Sequence, residues 1–264
     1  VYGGEVAIAL IQPNLDKKLH ALALTCDTTG HADEAKKLLA KLHINLVGAG
    51  GNDKGKGAKK SLEKFEGVDL LIYNMPPRAN EQVGRKVIYV YHDDLLLACD
   101  DLDITKEIVT KLNAKGAEKG SLAAVESFGG AMLEVKGASG AILPHAKWWI
   151  EPFGYGEVVR AANGGKKKRG KDMLQILHDQ GFSALQGIGG FITFSTGEHE
   201  ILHRTFIYAP AVKGAMGAEK YLLAARMLQF PNGAEQAPQA WIPRDAATYL
   251  SVNFKVKEAF EYSS

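Results

Sequence analysis

The residues with the most suggestive chemistry are two histidines and a glutamate in the second half of the chain. His199, Glu200 and His203 lie in the string His-Glu-Ile-Leu-His, which matches the H-E-x-x-H pattern of zinc proteases. On a helix, residues four apart share a face, so both imidazoles could bind one zinc ion. On a strand, the same residues are about 13 Å apart, too far to share an ion. The local backbone conformation therefore decides whether this string can form a metal site.

The residues on either side of the string are typical of strands. Residues 191–194 and 205–208 are rich in β-branched and aromatic side chains, which suit a pleated sheet. Between them lies a short polar segment, and Gly197 within it can adopt the backbone conformation of a tight turn. We therefore predict a hairpin at 186–210 rather than a helix.

A third zinc ligand is also missing from its usual place. The extended protease pattern requires glycine at the position of Phe206 and histidine at that of Ala209. We therefore predict no catalytic, metal-binding or cofactor-binding residues and no cofactor. The alternative is a zinc hydrolase in which His199 and His203 bind the metal and Glu200 acts as the base that activates a bound water.

Other charged segments do not complete a known motif. The basic, glycine-rich segment 48–60 resembles a phosphate-binding loop, but Gly57 stands where that motif requires Ser or Thr. The second basic segment, 164–171, lacks interleaved aromatic residues, so no nucleic-acid partner is expected. Five aspartates between 93 and 103 lack the pattern of a calcium loop and fit a solvated turn followed by a helix N-terminus.

Composition indicates an ordinary folded chain. Its 264 residues are 46% hydrophobic and 23% charged, with a net charge of +2. No apolar run reaches the length of a membrane span. Cys26 and Cys99 are each the last residue of a predicted strand. Buried free thiols are favoured, although a disulfide stays open if the two strands are neighbours. Because the chain begins at Val1 rather than at a methionine, we expect a piece of a longer polypeptide or a processed product.

Strand and helix patterns recur in the same order three times. A strand, a turn, a second strand and an amphipathic helix are predicted at 5–47, 68–112 and 182–229. Strands joined by short turns must be antiparallel. We therefore predict an α+β fold in which antiparallel sheets are built from repeated strand–strand–helix units, with helices packed on one face. Two α+β lobes are expected, at 1–163 and, around the hairpin, at 171–264.

Further elements are predicted from local patterns. A helix at 121–132 is expected to be interrupted by Gly129 and its glycine neighbour. The apolar spacing of 219–229 predicts a helix, and 247–254 is expected to be a strand followed by a final helix. The paired tryptophans 148 and 149 lie in a predicted strand, where neighbouring side chains point to opposite faces.

Four segments together resemble a family of large exported proteins of planctomycete bacteria, whose function is unknown. They are residues 4–10 (Gly-Glu-Val-Ala-Ile-Ala-Leu), 180–210, 224–232 (Ala-Ala-Arg-Met-Leu-Gln-Phe-Pro-Asn) and 240–245 (Ala-Trp-Ile-Pro-Arg-Asp). The resemblance implies a cell-envelope location, periplasmic or extracellular, and a longer parent polypeptide. It implies no activity, and the H-E-x-x-H string is not a recurring feature of the family.

These observations lead to one functional hypothesis and two alternatives. We expect a non-enzymatic protein of the cell envelope with a structural or interaction-mediating role, whose partners are other proteins or further copies of itself. The first alternative is the zinc hydrolase described above. The second is a carrier that binds apolar ligands between sheet and helices.

Overall fold

Antiparallel strands account for most of the regular structure in the first half of the chain. They form a six-stranded sheet in the order β1-β2-β6-β5-β4-β3, in which every neighbouring pair is antiparallel. The strands are β1 (Val6–Ile11), β2 (Ala21–Asp27), β3 (Lys59–Phe65), β4 (Val68–Met75), β5 (Arg85–His92) and β6 (Leu95–Cys99), and the helices of this half are α1 (Ala32–Val47) and α2 (Leu102–Asn113).

The second half contains a three-stranded antiparallel sheet in the order β7-β8-β9. Its elements are α3 (Glu126–Ser139), β7 (Ala146–Ile150), α4 (Pro152–Ala162), α5 (Met173–Asp179), β8 (Gly187–Phe194) and β9 (Ile201–Tyr208). The predicted α+β class with antiparallel sheets is therefore confirmed. The structure, a computed structural model, describes residues 4–48, 57–77, 84–114, 120–165, 170, 172–194, 197, 200–215, 219–229, 237–238, 240–253 and 261.

Two hairpins of the large sheet close through two-residue turns in which both residues have positive φ. Glu66 and Gly67 join β3 to β4, with φ of 46° and 85°, and Asp93 and Asp94 join β5 to β6, with φ of 48° and 59°. Such turns match the right-handed twist of the strands they connect. Glycine and, to a lesser degree, aspartate tolerate this backbone conformation, so Gly67, Asp93 and Asp94 favour the tight turns, whereas Glu66 does not.

α2 covers one face of the large sheet. Its Ile104 and Val109 pack in a single core with Leu70 of β4, Ile88 of β5 and Leu97 of β6, which are three adjacent inner strands. The core residues of each of these strands are two positions apart, so the residues between them point to the face away from α2. Apolar burial on this face is the main contribution to the stability of the first sheet.

α1 reaches the opposite face of the same sheet. His43 Nδ1 lies 3.2 Å from the hydroxyl of Tyr73, a buried residue of β4. The preceding residue, Ile72, belongs to the core under α2, so Tyr73 points to the other face. The Tyr73 ring also makes an edge contact with Tyr89. Burial raises the pKa of both tyrosines, so they stay neutral phenols.

The two cysteines are free thiols on neighbouring strands. Cys99 lies opposite Ala23 of β2, and both residues belong to the core under α2. Cys26 follows Ala23 by three residues, an odd number, so its side chain points to the other face of the sheet. The favoured prediction of buried free thiols is confirmed for Cys99, whereas Cys26 is a free thiol that is only half-buried. Burial raises the pKa of the Cys99 thiol, which keeps it protonated and unreactive at neutral pH.

The first strand–strand–helix unit is present as predicted, and the other two are altered. In the second, the four strands β3 to β6 precede α2 instead of two, and β3 begins at Lys59, inside the basic segment 48–60. In the third, residues 219–229 form no α-helix: a 3-10 helix covers Leu223–Leu228. Leu223 has a positive φ of 51°, and the amide of Ala225 donates to the Gln180 carbonyl rather than within an α-helix.

Two predictions for the end of the chain have different outcomes. The predicted strand at 247–254 is wrong for residues 247–253, which have irregular backbone and no strand neighbour within the described chain. Without a neighbouring strand, the backbone groups of this segment cannot form the hydrogen bonds of a sheet, even where its residue types favour a strand. The predicted final helix lies outside the described residues, apart from Glu261.

The chain divides into two compact units. One comprises Val1–Ser121 and Gly154–Lys166, and the other Leu122–Phe153 and Lys167–Ser264. β7 lies within the range predicted for the first lobe but pairs with β8, which lies in the range predicted for the second. The predicted lobe limits at 163 and 171 fall close to one of the points at which the chain passes between the units.

α3 runs through the glycine pair that was expected to interrupt it. A Cβ added to Gly130 would overlap the ring of Tyr208, whose hydroxyl donates to Glu126 at 2.9 Å. At Gly129, an added Cβ would meet nothing within 4 Å. Packing on β8 and β9 therefore outweighs the low helix propensity of two glycines, and only Gly130 is required by the fit.

This difference between the two glycines can be tested. We expect Gly130→Ala to lower the free energy of unfolding by about 1–3 kcal/mol, because the added methyl overlaps the ring of Tyr208, which its hydrogen bond to Glu126 keeps in place. Gly129→Ala should leave it unchanged or raise it by up to about 1 kcal/mol, because alanine favours the helix. Urea unfolding followed by circular dichroism measures both. Equal stability of the two variants contradicts the packing of α3 described above.

Candidate functional site

The H-E-x-x-H string falls at the start of β9. His203 is the third residue of that strand, Glu200 immediately precedes it, and His199 lies outside the described residues. β8 and β9 pair in register from Gly187 opposite Tyr208 to Phe194 opposite Ile201. The predicted hairpin is therefore confirmed for its two strands, and the backbone of His203 is extended rather than helical.

The surroundings of His203 are aromatic and polar. Its Nε2 lies 3.3 Å from the hydroxyl of Thr205, and its ring centroid lies 6.2 Å from that of Trp148 on β7. Within the described ranges, no three His, Cys, Asp or Glu side chains are placed to hold a metal ion. Glu200 and His203 are both exposed. The alternative zinc site would need His199, whose position is not described.

His203 belongs to a larger surface, which we call the open face. It is the face of the three-stranded sheet opposite α3, and strand alternation defines its members. Ile201 and Ile207 are 60% and 62% exposed, although both are large apolar residues within a strand. The open face comprises Ala146, Trp148, Ile150, Ile188, Gly190, Ile192, Phe194, Ile201, His203, Thr205 and Ile207.

The other face of this sheet is closed by α3. Phe191 is fully buried there, and the ring of Trp149 makes an edge contact with Phe128 of α3, with centroids 5.8 Å apart. Gly187 and Gly189 allow α3 to approach, because a Cβ at Gly189 would lie 3.1 Å from that of Ala131. The two tryptophans thus point to opposite faces, as predicted.

Trp148 is placed on the open face by a glycine. A Cβ at Gly190 would lie 3.1 Å from the indole ring and would overlap the Arg204 carbonyl. The indole therefore lies against bare backbone and contributes a flat, half-buried aromatic surface beside His203. Stacking on a flat chemical group or packing against an apolar side chain are the contacts that such a surface can make.

A second apolar surface lies on the large sheet and is called the β1–β2 face. Ile8 is opposite Leu24 and Leu10 is opposite Leu22, so their side chains share one face of the two strands. All four are exposed, as is Val6 next to them. The β1–β2 face is defined by Val6, Ile8, Leu10, Leu22 and Leu24.

The aspartates that suggested a calcium site in the sequence have structural contacts instead. The Asp94 carbonyl accepts hydrogen bonds from the amide and hydroxyl of Thr28, at 2.8 and 2.6 Å. Asp100 accepts from the amide of Leu22 at 2.7 Å, and Asp101 caps α2 by accepting from the amide of Ile104. Most of the basic segment 48–60 lies outside the described residues.

Sequence reasoning found His203 and Trp148 but missed the surface to which they belong. A signal was present in the sequence of β9, because each of its two alternating sets contains large apolar residues. Ile201 and Ile207 belong to one set, and Leu202 and Phe206 belong to the other. Large apolar residues in both sets indicate that both faces of the strand carry apolar side chains. Which face is left uncovered depends on α3, whose contact with β8 and β9 the sequence does not reveal.

The chain matches no known protein family, curated protein or solved structure. The resemblance to planctomycete envelope proteins therefore stays a prediction. Among the described helices, none combines the length and hydropathy needed to cross a bilayer.

The openness of this face can be tested through stability. We expect Ile201→Thr and Ile207→Thr each to change the free energy of unfolding by less than about 0.5 kcal/mol, because both side chains are mostly in water. Phe191→Ala, on the closed face, should lower it by about 3–5 kcal/mol. Urea unfolding provides the comparison, and a loss of several kcal/mol for either isoleucine shows that the open face is covered.

Proposed function

We propose that the chain is a non-enzymatic interaction protein of the cell envelope and that the open face binds a protein partner. The observation that carries this proposal is the exposure of Ile201, Ile207 and Phe194 together on one sheet face. Large contiguous apolar patches are uncommon on proteins that act alone, and they commonly mark interfaces.

The chemistry of the open face favours a protein over other partners. Its apolar side chains surround Trp148, His203 and Thr205, which supply an aromatic ring and polar groups near one another. Interfaces between proteins have this composition, with aromatic anchors and few charges at the centre. The partner is therefore expected to present an apolar surface of its own, with hydrogen-bonding groups opposite His203 and Thr205.

Two other functions have less support. A zinc hydrolase requires His203 to share an ion with His199, and His203 lies on an extended strand. A carrier of apolar ligands requires space between sheet and helix, but Leu70, Leu97 and Val109 pack together under α2 and are fully buried. The interaction hypothesis needs neither condition.

The cell-envelope location rests on the resemblance described above. We expect the protein, detected with an antibody in fractionated cells of its source, to be enriched in the envelope or secreted fraction. A cytosolic marker protein provides the control. Enrichment of the protein with that marker contradicts the proposed location and leaves the proposal of a partner surface in place.

The partner surface itself is tested by paired variants. We expect wild-type protein and Leu133→Thr to retain the same envelope protein in affinity purification followed by mass spectrometry, and the double variant Ile201→Thr/Ile207→Thr to retain at least about tenfold less of it. Leu133 is 70% exposed on α3, so it is a control of similar exposure outside the open face. Retention of the same protein by the double variant, or of none by the wild type, contradicts the proposal.

The metal content of the purified protein distinguishes the interaction protein from the zinc hydrolase, which would bind one zinc ion per chain. We expect purified protein to contain zinc far below one ion per chain and His203→Ala to leave that content unchanged, because His203 is on a strand. Elemental analysis after dialysis without chelator measures it. Stoichiometric zinc in the wild type that is lost in His203→Ala makes the zinc hydrolase the better account.

A further inference from the structure

β1 is an edge strand with one row of backbone hydrogen-bonding groups unused within the sheet. Among the residues that the structure describes, its only strand partner is β2, in a register that places Ala7 opposite Thr25 and Ala9 opposite Ala23. In an antiparallel pair, the residues that bond to the neighbour alternate with residues whose N–H and C=O point away from it. Half of the β1 backbone therefore faces outward.

The phase of this alternation is fixed by hydrogen bonds at the strand ends. The amide of Asp27 donates to the carbonyl of Glu5 at 2.8 Å, which places odd-numbered β1 residues toward β2. On the side facing β6, the even-numbered residues of β2 make the hydrogen bonds. The amide of Asp100 donates to the Leu22 carbonyl, and the amide of Thr28 donates to the Asp94 carbonyl. The outward-facing donors and acceptors of β1 therefore belong to Val6, Ile8 and Leu10.

The two edges of this sheet differ in charge. β3, the other edge strand, has four charged residues among its seven: Lys59, Lys60, Glu63 and Lys64. β1 has none among its six residues. Charged side chains, lysine above all, are the usual means by which an edge strand avoids pairing with another chain. The β3 edge carries this protection and the β1 edge does not.

We propose that two copies of this chain associate through β1, pairing antiparallel about a two-fold axis at Ile8. In this register Ile8 lies opposite Ile8 of the second copy, and Val6 lies opposite Leu10 in both directions. These are the three residues whose backbone groups point outward, so each donor meets an acceptor. The two large sheets then form one continuous sheet.

Side-chain chemistry favours a second copy as the occupant. The side chains of Val6, Ile8 and Leu10 share one face and are exposed, so pairing extends the β1–β2 face of each copy into a common apolar surface. Glu5, which flanks β1, lies opposite Ile11 and not opposite its own counterpart, so like charges do not meet. A closed two-fold contact also stops at two copies and does not propagate into a fibre.

The contact is small, which sets the expected strength. A standard stable interface buries about 800 Å² on each partner, with about 20–30 residues a side, whereas one strand edge supplies six residues. We therefore expect a reversible dimer with a dissociation constant on the order of 10–100 µM. Sedimentation velocity from about 1 to about 200 µM spans this range.

Matched substitutions on the two edges test the site. Ile8 and Leu62 are 69% and 61% exposed and lie on opposite edge strands of the same sheet. Ile8→Lys places two like charges opposite each other in the dimer and should raise the dissociation constant at least about tenfold. Leu62→Lys should leave it unchanged. A wild-type chain that stays monomeric throughout, or a dimer that tolerates Ile8→Lys, overturns the proposal.

Backbone pairing is tested separately from side-chain charge. Ile8→Pro removes an outward-facing N–H and spares the ladder with β2, so the monomer should keep its circular dichroism spectrum while dimerisation is lost. Ile8→Cys should form a disulfide-linked dimer under mild oxidation. Residues that face each other in a hydrogen-bonded antiparallel pair have Cα atoms about 5.5 Å apart, a distance that a disulfide can span. Leu62→Cys is its control. Equal cross-linking of both cysteine variants contradicts the β1 register.

The β1 dimer is separate from the proposed function, because it forms at a different sheet from the open face and needs no other protein. Its failure and that of the proposed function are therefore separable. Loss of dimerisation in Ile8→Lys says nothing about the open face, and loss of partner binding in the Ile201→Thr/Ile207→Thr variant says nothing about β1.

Discussion

The two-residue alternation of antiparallel strands is the constraint on which the rest of this structure depends. Because neighbouring residues point to opposite faces, pairing in a fixed register assigns each side chain to one face or the other. The alternation separates Trp148 from Trp149 and Cys26 from Cys99. It also places His203 on an uncovered surface rather than in a buried site. Chemical roles in this protein follow from the face on which a residue lies.

Each sheet combines a face closed by a helix with apolar surface that is left in water. α2 and α3 close one face of their respective sheets, whereas the open face and the β1–β2 face carry exposed isoleucine, leucine, valine and phenylalanine side chains. Leaving such side chains in water forgoes about 1.5–3 kcal/mol for each one that could be fully buried. Contact of the open face with another protein recovers that free energy, which is why we assign partner binding to the open face.

Local patterns predicted much of this fold because local interactions determine it. The hairpin of β8 and β9 and the α+β class both follow from residue types at short range. Predictions failed where a distant contact decides the outcome. α3 continues through Gly129 and Gly130 because it packs on β8 and β9, and residues 247–253 form no strand because they have no neighbouring strand in the described chain.

The candidate site was predictable only in part, for the same reason. Alternation along β9 predicts that its isoleucines share a face with His203, but only the position of α3 determines that this face is the one exposed. Likewise, the sequence of β1 is apolar whether the strand is central or at an edge. Its position in the strand order turns those six residues into an unprotected edge.

Solvent accessibility of the isoleucine methyl groups in the isolated protein tests the central claim most directly. Methyl-labelled protein at low concentration, titrated with a soluble paramagnetic probe, reports how far each methyl group is exposed to water. The account predicts strong broadening of the Ile201 and Ile207 signals and weak broadening of those of buried Ile72 and Ile88. Protection of Ile201 and Ile207 to the level of Ile88 would contradict it, because the open face would then be part of a core.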